Sequence, residues 1–347
     1  MGDDGQSGRT ALGECAEPLV ARYDLAMLDL DGVVYVGREA VPHAASAVVE
    51  ATAAGTRCAF ITNNASRTPE AVAEHLRDLG VPADAADVVT SSQAAARMLT
   101  EIVGEGAQIF VIGGEGLVHA LAERGMVGTQ RLDDEPVAVV SGYHPDLRWR
   151  TVIDGAILVR EGLPWVATNT DMTVPTPRGQ GPGNGVLVGA VARYAEVEPM
   201  VAGKPEPPLL RETVDRLGGD RPLMVGDRLD TDIEGAHRAG CDSLLVMTGV
   251  TGLSELVSAP PQLRPTYVGG DLRALLQPHP APAQVDGTSE LGGWTARVDG
   301  DRLEVQGDGT TDDWWRVVAA AAWQHLDETG AVPDTTDVLA PDGQSGG

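Results

Sequence analysis

The sequence predicts an α/β protein built on a parallel sheet, with a second α/β unit inserted into the first and a small ββα appendage after both. Three observations predict it. Short apolar runs alternate with helical stretches from about residue 24 to 276, the pattern of a parallel sheet covered by helices on both faces. A second such series starts near residue 93, and the first resumes near 199, an order that one domain inserted within another explains better than two in series. A proline-rich stretch at 277–284 then sets off a segment with one hairpin signal and one helix.

Residues 1–22 are Gly-rich and acidic without periodicity and read as a flexible tail. In the core, 25–30 is apolar, 44–55 helical, 58–62 apolar, 69–80 helical with Pro69 in its first turn, and 88–91 apolar. This gives the first core segment, 23–92. The inserted unit, 93–198, holds an apolar run at 108–112, a helix to 124, a run at 137–141, a helix over 149–162, a run at 165–169 and a helix over 186–196. The second core segment, 199–276, holds a helix at 209–217, a strand at 223–225, a helix at 232–239 and strands at 243–247 and 266–268. Beyond the linker 277–284, the runs 294–298 and 302–305 flank Asp299-Gly300 as a hairpin, and 313–326 reads as an apolar-faced helix. That makes a small domain over 285–332, expected to dock on the main body or on another subunit, and 333–347 reads as a second flexible tail.

Composition narrows the function. The 51 acids outnumber the 25 bases, a formal charge of −26, which argues against nucleic acid and against an anionic membrane surface. A small molecule is the expected partner, and a homo-oligomer is left open. No stretch approaches the roughly 18 apolar residues of a membrane span, and the acidic N-terminus is no signal peptide, so a cytoplasmic location is expected. Gln6 stands where a myristoylation motif wants Ser or Thr. Cys15, Cys58 and Cys241 are too few and too scattered for a disulfide framework or a zinc site.

The chain has one lysine, Lys204, against 24 arginines, and four asparagines, Asn63, Asn64, Asn169 and Asn184. Where Arg would serve, this sequence has Arg, so Lys204 marks a place for a compact, rotatable ammonium. Four clusters fall at four strand ends. Asp29-Leu30-Asp31-Gly32 ends the first strand, where residues two apart point the same way and could present paired carboxylates. Thr62-Asn63-Asn64 ends the second, where a hydroxyl and the following N–H groups could hold phosphate oxygens. Lys204 follows the inserted unit and could neutralise both carboxylates and a phosphate. Asp227 ends a fourth strand, and Asp232 opens the next helix as either a metal-associated residue or a helix cap. Oxygen ligands from Asp29, the Asp31 backbone and Asp227 suit a hard ion that keeps waters and meets a phosphate, which is the chemistry of Mg²⁺.

These residues resemble the haloacid dehalogenase-like hydrolases. More narrowly, the stretches at 28–35, 61–66, 202–205 and 226–233 resemble the p-nitrophenyl phosphatase or NagD-type subfamily, over roughly residues 24–275. The short C-terminal appendage is similar to that of actinobacterial glycerol 3-phosphate phosphatases. The resemblance implies a Rossmann-like core with an inserted C2-type α/β cap and a Mg²⁺-dependent phosphomonoester hydrolase working through an aspartyl-phosphate. Asp29 would be the nucleophile and Asp31 the acid and base. Thr62, Asn63, Asn64 and Lys204 would bind phosphate. One Mg²⁺ per chain, replaceable by Mn²⁺ or Co²⁺, would sit on Asp29, Asp31 and Asp227, with Asp232 behind them. Asn169, Asp171 and Arg178 are the expected cap contacts to substrate. The substrate would be a small phosphorylated metabolite, glycerol 3-phosphate first, with phosphoglycolate, nucleotides, pyridoxal phosphate or sugar phosphates as alternatives. Hydrolytic dehalogenation is disfavoured by Asp31 and Asp227, and mutase action stays open. A phospho-accepting signalling module of receiver type is disfavoured by the chain's length and by its inserted unit.

Overall fold

The computed structural model describes residues 11–176 and 178–341. The expected tails at 1–10 and 342–347, and Pro177 of the 175–179 loop, lie outside the described residues. By contacts the chain divides into two compact units, one comprising Met1–Cys58, Leu79–Pro82 and Gly219–Gly347, the other Ala59–Asp78 and Ala83–Gly218.

The first unit is built on parallel strands in the order Tyr267–Gly269, Asp242–Val246, Pro222–Gly226, Leu25–Leu28. Every residue of Leu25–Leu28 is buried, as expected of a strand covered on both faces. Helices Ala44–Ala53 and Glu234–Ala239 flank it, and the latter is preceded by a wide turn over Leu229–Ile233.

The appendage belongs to this unit and is larger than the sequence suggests. The hairpin Trp294–Asp299 with Arg302–Gly307 and the helix Thr311–Thr329 are present, and Ala283–Val285 and Thr288–Leu291 extend the hairpin to four antiparallel strands. Part of the expected linker is therefore strand. Trp314, Trp315 and Trp323 are buried against Leu245, Leu256 and Val268 of the core. Arg264, fully buried, donates to both carboxylate oxygens of Asp327 at 2.7 Å, and the Trp323 indole N–H donates to Leu256 O at 2.7 Å.

Two segments expected to be loose are tied down. Gly13 N–H donates to Thr266 O at 2.7 Å, Cys15 and His279 exchange both backbone hydrogen bonds, and Leu19 is buried in a short helix, Leu19–Arg22. At the other end, Asp334 pairs with the hairpin, its N–H donating to Asp301 O and its carbonyl accepting from Leu303 N–H. Both segments bind strands far away in sequence, which no local pattern announces.

The second unit holds a five-stranded parallel sheet in the order Met200–Val201, Trp165–Ala167, Ala138–Ser141, Gln108–Ile112, Val127–Thr129. Residues 59–62 of the strand Arg57–Thr62 pair in parallel with Val88–Thr90. A capping box between Thr90 and Gln93 starts the helix Ser91–Val103, so residue 93 lies inside a helix. This helix packs on Glu115–Glu123 and Pro208–Leu217. Buried Glu212 fastens the group by accepting from Arg97, Arg124 and Arg216 at 3.2, 2.6 and 2.9 Å. No described helix is long and apolar enough to cross a membrane.

Candidate active site

In the first unit, Asp29 continues the strand ladder by one residue, its N–H donating to Val225 O at 2.9 Å. The chain then leaves the sheet. Val34 and Tyr35 N–H both turn onto Leu30 O, at 2.9 and 3.1 Å, and Gly32 adopts φ +84°. Strand alternation therefore does not pair Asp29 with Asp31. A turn separates them, leaving Asp29 half-buried, Leu30 in the core and Asp31 exposed.

Asp29 is paired instead with Asp227 and Asp232. One carboxylate oxygen from each lies within 4.8 Å of the others, and the last two residues are buried. At that spacing ionised carboxylates repel by roughly 3 kcal/mol per pair at an effective dielectric of about 20. A hard divalent cation relieves the repulsion, and an all-oxygen donor set suits Mg²⁺ and disfavours Zn²⁺. Asp232 also serves as a cap, as its Oδ2 accepts the N–H groups of Asp227 and Arg228 at 3.1 and 3.0 Å. Both alternatives left open for Asp232 are thus realised in one side chain.

Small residues make this closeness feasible. A Cβ on Gly249 would lie 2.0 Å from Asp227 Oδ2, and one on Gly32 2.4 Å from the same atom. Val250 N–H donates to Asp227 Oδ2 at 2.7 Å and Thr248 Oγ1 donates to Gly32 O at 2.5 Å, so the 248–250 loop holds the group together. Sequence reasoning missed this loop, whose one signal is Thr248-Gly249 directly after an apolar run. Beside it, Asp230 is held below the usual carboxylate range. Partial burial works the other way, but the bidentate hydrogen bonds and charge of Arg228 prevail.

In the second unit Thr62 is buried at its strand end, and its Oγ1 accepts Asn64 N–H at 3.0 Å. Asn64 is exposed, its Oδ1 accepting from the N–H and hydroxyl of Ser66. The Asn63 side chain is engaged with the protein. Its Oδ1 accepts Lys204 N–H at 2.9 Å, and its Nδ2 donates to Lys204 O at 3.0 Å and to both Asp171 oxygens at 3.2 Å. Lys204 is 2% exposed. Asn169, expected to contact substrate, is buried instead. Its Nδ2 donates to Asn63 O at 2.7 Å and its Oδ1 accepts Asp171 N–H at 3.1 Å. Ser91, also missed, is buried and donates to Asn63 O at 2.6 Å. Arg178 is exposed between the strands Thr173–Thr176 and Gly179–Pro182, a hairpin where a loop was expected.

Of the expected site residues, the fold thus gathers Asp29, Asp227 and Asp232 in one unit and Asn63, Asn169, Asp171 and Lys204 in the other. Residues 26–127 match the family model described as haloacid dehalogenase-like hydrolase, and 201–275 match a HAD-hydrolase-like model. The chain is 40% identical over 315 residues to a D-glycerol 3-phosphate phosphatase of Mycobacterium tuberculosis, covering 88% of this chain and 87% of that one. It is 34% identical to an acid sugar phosphatase of Staphylococcus aureus, covering 72% and 96%. Among solved structures, a glycerol phosphate phosphatase from M. tuberculosis in complex with magnesium matches with a TM-score of 0.81 at 40% identity, covering 89% and 92%. A 4-nitrophenylphosphatase from Thermotoga maritima matches with a TM-score of 0.69 at 29% identity, covering 74% and 98%. Carboxylates at the first and fourth motif positions, a single lysine between them and relatives alike over most of their length agree: the chain belongs to the haloacid dehalogenase-like hydrolases.

Proposed function

We propose that this chain is a magnesium-dependent phosphomonoesterase that hydrolyses glycerol 3-phosphate. The observation that carries the chemistry is the group of carboxylates from Asp29, Asp227 and Asp232 within 4.8 Å. The substrate is taken from the relative named a D-glycerol 3-phosphate phosphatase, 40% identical over 88% of this chain.

An oxygen of Asp29 attacks phosphorus, and the bond from phosphorus to the glycerol oxygen breaks as the aspartyl-phosphate forms. Asp31, exposed on its turn, gives a proton to the departing alkoxide and then takes one from the water that hydrolyses the intermediate, freeing Asp29 and phosphate. The Thr62 hydroxyl, the N–H groups of Asn63 and Asn64 and the Lys204 ammonium neutralise the transferring phosphoryl group. Asp29, the Asp31 carbonyl and Asp227 would hold Mg²⁺, with Asp232 behind them, and Mn²⁺ or Co²⁺ would substitute. The ion supplies charge neutralisation on the phosphoryl oxygens. Residues 93–198 act as the cap that selects the leaving group, with Asp171 and Arg178 as its polar candidates.

A sugar phosphate is the second reading, favoured by the 34% identity to an acid sugar phosphatase over 72% of this chain. The test is phosphate release, with Mg²⁺ and with EDTA, from glycerol 3-phosphate, phosphoglycolate, pyridoxal phosphate, nucleoside monophosphates and sugar phosphates. Metal-dependent release with glycerol 3-phosphate preferred supports the proposal. Preference for a sugar phosphate replaces the substrate, and release unaffected by EDTA overturns the metal.

A further inference from the structure

We infer that Asn63 is a positioning residue that sets Lys204 for phosphoryl transfer, and that Asp171 acts through Asn63 and not on the substrate. The inference rests on the phosphatase reading, in which the Lys204 ammonium neutralises the transferring group.

The Asn63 side chain pairs with the Lys204 backbone as one rung of a β ladder would. Its carbonyl accepts the N–H at 2.9 Å and its amide donates to the C=O at 3.0 Å. The remaining amide hydrogen is shared between the two oxygens of Asp171, each 3.2 Å from Nδ2. All the hydrogen-bonding capacity used here is directional and belongs to an amide: a carboxylate cannot donate, and a Gln amide stands one methylene too far out. The approach is close enough to require glycine next door. A Cβ on Gly203 would lie 2.6 Å from Asn63 Oδ1 and 2.5 Å from Thr168 O.

Asn63 is itself held. Its backbone carbonyl accepts from Ser91 Oγ at 2.6 Å and from Asn169 Nδ2 at 2.7 Å, and Asn184 Nδ2 donates to Asn169 O at 2.7 Å. Asn63, Asn169 and Asn184 thus form one relay in a chain with four asparagines. A sequence that elsewhere avoids this residue type keeps it where an amide must donate and accept at once. Asp171 stands at the outer end of the relay, where its carboxylate orients the Asn63 amide, and Asn169 Oδ1 in turn fixes the Asp171 backbone at 3.1 Å. Lys204 is buried and its backbone is fixed at both polar atoms, so its ammonium swings from a defined root. Freeing that root misplaces the charge at the moment it is needed, a loss in the chemical step more than in substrate binding.

The experiment measures kcat and KM for glycerol 3-phosphate in the full chain and in Asn63→Ala, Asn63→Asp, Asp171→Asn and the double variant Asn63→Asp/Asp171→Asn. Asn63→Ala and Asn63→Asp are expected to lower kcat by about 10- to 100-fold while KM moves less than about 3-fold. Asn63→Asp sets two carboxylates against each other. The double variant reverses the donor and acceptor across the same contact, and should recover at least about fivefold of the kcat lost in Asn63→Asp. Asp171→Asn alone keeps an acceptor for Asn63 and should leave KM within about twofold. Amide hydrogen exchange at Lys204 should speed up in Asn63→Ala, a readout independent of turnover. Wild-type kcat in Asn63→Ala, a loss confined to KM, or no recovery in the double variant overturns the inference. A wild-type chain that releases phosphate from no ester overturns the phosphatase reading instead. In that case Lys204 exchange unchanged in Asn63→Ala also removes the hold that Asn63 exerts.

Discussion

Lowering the pH should destabilise the first unit through a single buried histidine. His279 is 1% exposed. The Arg316 guanidinium, which can only donate, lies 3.1 Å from its Nδ1, so Nδ1 accepts, and the proton on Nε2 goes to Ala274 O at 2.8 Å. Burial, and then the Arg316 charge, push its pKa down from 6.5 to about 4. Asp312 and Asp313 face Arg316 from the same helix, at 3.9 and 3.3 Å, and the Tyr267 ring meets His279 edge-on at 5.0 Å. The folded value lies below the unfolded one, so between about 6.5 and 4 the unfolded chain holds a proton that the folded chain lacks. Stability from this group is complete above that window, falls as the pH falls through it, and levels off beneath it. At about 1.4 kcal/mol per pH unit the whole interval amounts to about 3 kcal/mol, of which about 2 kcal/mol is lost by pH 5. His279→Gln keeps a donor for Ala274 O and cannot titrate. Urea unfolding followed by the fluorescence of Trp314, Trp315 and Trp323 at pH 7 and pH 5 isolates the term. The advantage of the wild type over the variant should shrink by about 2 kcal/mol. An unchanged difference between the two proteins at both pH values would refute the assignment of a neutral, Arg316-facing imidazole.

Three further outcomes follow from the same geometry. Asp29→Asn should lower phosphate release at least about 10⁴-fold with an unchanged circular dichroism spectrum and unfolding midpoint, because the residue is half-buried and one atom separates the two side chains. Gly249→Ala places a methyl group 2.0 Å from Asp227 Oδ2, and calorimetric titration with MgCl₂ should show affinity weakened about 10- to 100-fold. Glu212→Ala removes the buried acceptor of Arg97, Arg124 and Arg216. Since those three side chains are each about a third exposed, the cost is about 2 kcal/mol, below that of fully buried partners, and urea unfolding of the second unit measures it.

What could be read from the sequence, and what could not, divides along a physical line. Chemistry that restricts residue type was legible: Asp29, Asp227 and Asp232 stand at the strand ends where acids are useful, and they meet within 4.8 Å. The period of apolar runs located strands such as Gln108–Ile112 and helices such as Pro69–Asp78. Geometry set by distant partners was not legible. Residues 11–22 look structureless because their partners, Thr266 and His279, lie some 250 residues on. The strand at Asp29 was extended too far because its end depends on Gly32 turning to φ +84° beneath Asp227, a fact about a contact and not about a local pattern.

The asparagines show the same limit from the other side. Their rarity marked Asn63 and Asn169 as working residues, and the short spacing from Asn169 to Asp171 suggested side chains turned toward a ligand. An amide, however, is defined by what it faces. Asn63 finds Lys204 at a separation of 141 residues and Asp171 at 108, and Asn169 finds Asn63 at 106. Only the folded chain brings those partners near enough to use both ends of the amide. Once they are near, the polar groups of Asn63 and Asn169 serve the lysine's placement. The rare residues are therefore working residues, as their rarity implied, but the work of these two is to hold a cation in register, while the exposed Asp31, Asn64 and Arg178 are the groups left facing solvent from which a phosphate ester arrives.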